Sequence, residues 1–113
     1  MMLPVPASDE VGPYTLVGFA KAKPGMAGLL EARLISLVEP TRCEPGALRY
    51  DVNRDRDDPH AFVFYEVWQS VDHLQAHLEK PYVQAFLSDR MSYLVEDMTI
   101  RWLRMSSPSP DAV

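Results

Sequence analysis

The sequence predicts an α+β fold, a ferredoxin-like sandwich in which a four-stranded antiparallel sheet carries helices on one face. Three observations predict it. The apolar residues switch between a two-residue and a three- to four-residue period, in the order strand, helix, strand, strand, helix pair, strand. Proline and glycine punctuate the early switches, at Pro24-Gly25 and Pro45-Gly46, with Pro59 in the turn between the middle strands and Pro81 opening the last helix. Right-handed crossovers between split strand–helix units then leave this sandwich as the simplest closure of a chain of 113 residues, a length that suits one domain with one core.

The folded unit is expected to run from Tyr14 to Met105 as a single domain. Residues 1–13 and 106–113 are rich in Pro, Ser, Gly or acidic residues without periodic apolar positions, and read as flexible tails. TLVGFAKA, stopped by Pro24-Gly25, is the first strand. Met26, Leu29, Leu30, Leu34, Leu37 and Val38 recur at helical steps, so an amphipathic helix follows. Pro40 should weaken or kink its last turn, and Pro45-Gly46 should end it. Leu48, Tyr50 and Val52 alternate with Arg49, Asp51 and Asn53 as in a half-buried strand, and DRDDPH supplies a turn. AFVFYEVW is the third strand, with Phe62, Phe64, Glu66 and Trp68 on one face and Val63, Tyr65 and Val67 on the other. Ser70 caps a short helix through Leu78, and Pro81 suits the first turn of another whose apolar stripe is Tyr82, Val83, Phe86, Leu87, Met91 and Leu94. TIRWLRM is the fourth strand. Aromatic residues on both faces of one strand would expose a large apolar patch, so a homodimer is expected to hide the second face.

Composition removes several function classes. A net charge of -5 with scattered basic residues argues against nucleic-acid binding, which needs clustered Lys and Arg to neutralise phosphates. Cys43 is the single cysteine, so neither an internal disulfide nor a thiolate metal cluster can form, and a reducing cytoplasm is the expected compartment. No apolar run approaches the length of a membrane span, and the start lacks the pattern of an export signal. No Gly-rich phosphate loop and no nucleophile elbow occur.

E-P-G-x-x-x-Y at Glu44 to Tyr50, F-x-x-x-E-x-W at Phe62 to Trp68 and A-H-L-x-x-P at Ala76 to Pro81 follow one another at a specific spacing, preceded by KAKPGM after the first strand. Over Val17 to Leu103 this set resembles the antibiotic-biosynthesis monooxygenase group of dimeric α+β barrels, which includes small bacterial quinol monooxygenases. The resemblance implies a cofactor-independent monooxygenase that uses dioxygen on a small aromatic, phenolic or quinol substrate, without metal or flavin. It also places His77 at the family's recurrent helix histidine. Relatives that degrade haem need an axial histidine on the last helix, where this chain has Phe86 and Leu87, so no haem is expected.

The residues themselves carry the chemistry unevenly. An imidazole near its ordinary pKa takes a phenolic proton at neutral pH, which makes His77 the candidate base; a structural histidine capping backbone carbonyls is the rival. Glu66, between Phe64 and Trp68 on one strand face, needs a partner if buried. It either assists His77 or pairs structurally with Arg90, Arg101 or Arg104, or sits at the dimer seam, and the structural role is favoured because buried charges are usually matched. Trp68, Tyr65, Phe62, Phe64, Tyr82 and Phe86 are candidates to line a flat pocket, and Arg90 and Tyr93 to steady a phenolate. His60, His73 and His77 lack metal-site spacing, so no metal is expected. The alternatives are an isomerase of a small carbonyl metabolite, which makes similar demands on a base, and a non-catalytic dimeric ligand-binding or stress-related module.

Overall fold

The computed structural model describes residues 3–6, 8 and 10–108. The segments expected to be tails fall partly on residues 1, 2, 7, 9 and 109–113, which lie outside the described residues. Four strands form one antiparallel sheet in the order β2-β3-β1-β4: β1 Tyr14–Lys21, β2 Ala47–Arg54, β3 Ala61–Trp68 and β4 Thr99–Leu103. The helices are α1 Ala27–Ile35, α2 Val38–Arg42, α3 Val71–Leu78 and α4 Pro81–Asp89, followed by a single 3₁₀ turn at Arg90–Ser92. The α+β ferredoxin-like sandwich is therefore the fold. Among the described residues, no helix is long and apolar enough to cross a membrane.

Two elements differ from the sequence expectation, each for a local reason. The first helix is not bent at its end but broken at Ser36 and Leu37. The ring of Pro40 excludes a helical carbonyl four residues earlier, at Ser36, while its missing amide proton costs nothing in the first turn of the new helix α2. The last helix stops at Asp89, short of Met91 and Leu94. Met91 is exposed, and Leu94, held by an isolated bridge to Ala22, joins the core cluster from outside the helix.

Register decides what each face carries. Leu16, Gly18 and Ala20 of β1 lie on the helix-covered face with Phe62, Phe64, Glu66 and Trp68 of β3, since Gly18 pairs with Phe64 and Leu16 with Glu66. Leu30, Leu34, Leu37, Phe62 and Phe86 join one core cluster, and Leu16, Phe64, Trp68 and Leu74 a second. Gly18 is required by close approach, because a β-carbon there would collide with the Phe64 ring lying over it. The opposite face carries Val17 and Phe19 beside Val63, Tyr65 and Val67, with Leu103 opposite Thr15.

Candidate active site

Three chain segments meet beneath the helices. The E-P-G turn is the first: Cys43 ends α2, and Gly46, with φ of 77°, reverses the chain into β2. The His73 ring packs so tightly over Gly46 that a β-carbon would strike it, and Ser70 Oγ lies 2.6 Å from His73 Nδ1. His73, half-buried, is thus a clamp on the turn, where its place on the helix one turn before His77 would leave it exposed. The turn so held sends the Glu44 side chain inward, where it is 6% exposed.

The helix α3 is the second segment. Ser70 caps it by accepting the His73 amide at 3.1 Å, which sets the rotation that buries Leu74 and His77 on one side. His77 Nδ1 lies 2.9 Å from Glu44 Oε2. Because a carboxylate accepts, Nδ1–H is the donor, and the neutral ring carries its lone pair on Nε2. Nε2 makes no hydrogen bond to a protein atom among the described residues. Burial holds the His77 pKa below its ordinary value, against the pull of Glu44. The ring packs 4.8 Å from Trp68 and 5.8 Å from Tyr50, centroid to centroid.

The strand β3 is the third. Glu66 Oε1 accepts the Trp68 indole N–H at 2.9 Å. Burial pushes the Glu66 carboxyl up to about 7, the Trp68 bond opposes the rise, and Glu44 adds to it. The expected arginine pairing is not what the structure has. Arg90 binds Asp97 through two nitrogens at 2.8 and 3.0 Å, Arg104 lies 3.8 Å from Glu10, and Arg101 is on the opposite sheet face opposite Val17. A carboxyl that can hold its own proton near neutral pH needs no counter-charge, which is how Glu66 is buried without one.

His77, Glu66, Phe64 and Phe86 line one apolar cavity together with Tyr50, Met98 and leucines that include Leu34 of α1, Leu78 of α3 and Leu87 of α4. Its volume is about 40 Å³, room for roughly three waters. Admitting a ring requires lining side chains to move, and the unbranched Met98 is the adaptable one among them. Of the remaining expected site residues, Trp68 stands behind Glu66, and the Tyr82 hydroxyl donates to Glu44 Oε2 rather than reaching the cavity. Tyr65 is on the opposite sheet face, and Arg90 is held at the end of α4 by Asp97. Phe62 is buried in the core, and Tyr93 accepts an amide bond from Lys23 through its carbonyl. Among the described residues no group of three or more His, Cys, Asp or Glu side chains is arranged to hold a metal ion.

Glu44 and Tyr50 were not among the residues expected to form the site. Both belong to the E-P-G-x-x-x-Y segment, whose proline and glycine announce a turn; nothing in that pattern states that the turn's glutamate faces inward.

Known proteins share this arrangement of elements. The sequence profile of the family described as antibiotic biosynthesis monooxygenase matches residues 13–88. The crystal structure of PA3566 from Pseudomonas aeruginosa is 34% identical with a TM-score of 0.80, over 84% of this chain and 95% of that one. A crystal structure described as an antibiotic biosynthesis monooxygenase is 26% identical with a TM-score of 0.77, over 83% of this chain and 99% of that one. Sll1783, an uncharacterized protein of Synechocystis sp., is 30% identical over 105 residues, covering 88% of this chain and 71% of that protein. With the profile spanning well over half of its length and the fold in agreement, the chain belongs to the antibiotic biosynthesis monooxygenase family.

Proposed function

We propose that the protein is a monooxygenase that acts on a small hydroxylated aromatic ring, a phenol or quinol, with His77 as base. The observation that supports it is the free Nε2 of a neutral His77, anchored at Nδ1 by Glu44, on the wall of an apolar cavity that also holds Glu66. Nε2 takes the ring hydroxyl proton, and the electron-rich anion reduces dioxygen. Oxygen then bonds to a ring carbon; loss of that carbon's proton and cleavage of the O–O bond leave a carbonyl, and the second oxygen departs as water. The dry wall and the protonated Glu66 carboxyl favour the anion, since a donor in a low-dielectric site counts for more than in water. Glu66 and His77 sharing one cavity, rather than meeting in a salt bridge at the surface, favours an enzyme over a binding module.

The test is anaerobic addition of a phenol and quinol panel, then ¹⁸O₂, followed optically and by mass spectrometry. One labelled oxygen in the product and one in water is the expected result. No oxidation above the uncatalysed rate for any member would remove the reading. The small cavity gives the carbonyl isomerase its support, and deuterium exchange beside a carbonyl, without oxygen, would move the assignment there.

The same reading includes a homodimer. Phe19 is 42% exposed and Leu103 46% on the sheet face away from the helices, in a patch with Val17, Val63 and Tyr65. A second copy covering that face is the simplest way to hide it. Sedimentation equilibrium is expected to give twice the chain mass, and Phe19→Asp to halve it by placing a charge in the covered face. A monomeric wild type sinks this part.

A further inference from the structure

Two donors converge on a single oxygen: His77 Nδ1–H and the Tyr82 hydroxyl both point to Glu44 Oε2. The three residues come from α3, α4 and the turn before β2, and the wholly buried Thr41 lies beside the tyrosine hydroxyl. We propose that Tyr82 is a positioning residue that weakens the proton affinity of His77 by drawing charge from the Glu44 oxygen the two share. It acts through Glu44 and touches no substrate, which reassigns a residue whose place in the sequence points to a ring contact. The role in turnover rests on His77 being the base; the network itself does not.

The physical reason is competition. A carboxylate beside an imidazole stabilises the charged ring, and a hydroxyl bound to the same oxygen takes part of that stabilisation away. A base tied to an unshared carboxylate would hold its proton more firmly, so that a smaller share of it is neutral and able to accept one at a given pH. The other groups around the ring are Tyr50 from β2, Glu66 and Trp68 from β3, and Lys80 beyond α3. Cys43 stands near Tyr82, so it too belongs to the local field. None of these residues is itself replaced when the Tyr82 hydroxyl is removed.

The two simplest variants are expected to move His77 in opposite directions. Tyr82→Phe frees the oxygen and strengthens the pair with His77, so the imidazole midpoint rises. Glu44→Gln removes the charge, so it falls. Each shift should be at least about half a pH unit, a threefold change in proton affinity, read by NMR titration of the His77 ring in the intact protein. A role limited to holding Glu44 in place would give the same sign for both variants, because a displaced carboxylate no longer supports the ring. A fall or no change in Tyr82→Phe therefore overturns the proposal. Should Tyr82→Phe not fold, site-specific 3-fluorotyrosine at position 82, a more acidic donor, is expected to lower the midpoint, and a rise or no change would overturn it. The titration needs no turnover, so an inactive wild type would defeat the monooxygenase reading and leave this result standing.

Discussion

Replacing His77 with alanine is expected to lower kcat for ring oxidation by about 10²- to 10⁴-fold, the range that a positioned general base contributes. The fold should survive, because Glu44 keeps its bond from Tyr82 and the lost imidazole lines a cavity rather than filling the densest part of the core. The affinity for a ring should change little, since Phe64 and Phe86 remain. In the wild type, kcat/KM should fall on the acid side with a midpoint below the ordinary 6.5, because burial disfavours the charged ring and protonation removes the base. In His77→Ala that limb should vanish, and added imidazole should restore part of the rate from within the space left behind. An alanine variant with kcat within a few-fold of the wild type would remove His77 from the chemistry.

Glu66→Gln should leave stability near pH 4.5 unchanged and raise it at pH 8 by about 3 kcal/mol. The sign follows from where the proton sits. Glu66 is expected to titrate near 7 in the folded chain against an ordinary value of 4.5, so between those values the folded state holds a proton that the unfolded state has lost. Raising the pH through this window therefore destabilises the wild type, and above it a buried carboxylate is carried at full cost. Glutamine has no proton to lose, and its amide oxygen can still accept the Trp68 indole N–H. Thermal melts of the two proteins should coincide at the acid end and separate by roughly 10 to 20 °C at pH 8. Parallel melting curves from pH 4.5 to 8 would mean that Glu66 titrates like a solvated carboxylate and is not closed off from water.

The two largest features of the site differ in how far they could be read from the chain. His77 is legible because the Ser70 cap and the apolar spacing of Leu74 and Leu78 define which side of α3 is buried, and His77 lies on it. Glu66 is legible as a buried acid because strand alternation puts it between Phe64 and Trp68. What was misjudged is its partner. Charge matching points to an arginine, whereas the structure supplies a neighbouring indole and a raised pKa. Tyr65 and Arg90 fail for geometric reasons. Alternation already sends Tyr65 to the opposite face, and Arg90 is claimed by Asp97 seven residues on, a local pair that helix periodicity does not reveal.

Local pattern by itself determined the element order, the sandwich, the inward face of β3 and the family, because two- and four-residue periods and turn residues act over distances of a few residues. The convergence of Glu44, His77 and Tyr82 on one oxygen was decided only by the tertiary structure. Glu44 lies 33 residues from His77 and 38 from Tyr82. Their meeting depends on the break of α1 before Pro40, on Gly46 turning the chain under His73, and on the packing of α3 against β3 and α4. Such a contact leaves no period in the chain, since each residue satisfies its own local rules whether or not the others arrive.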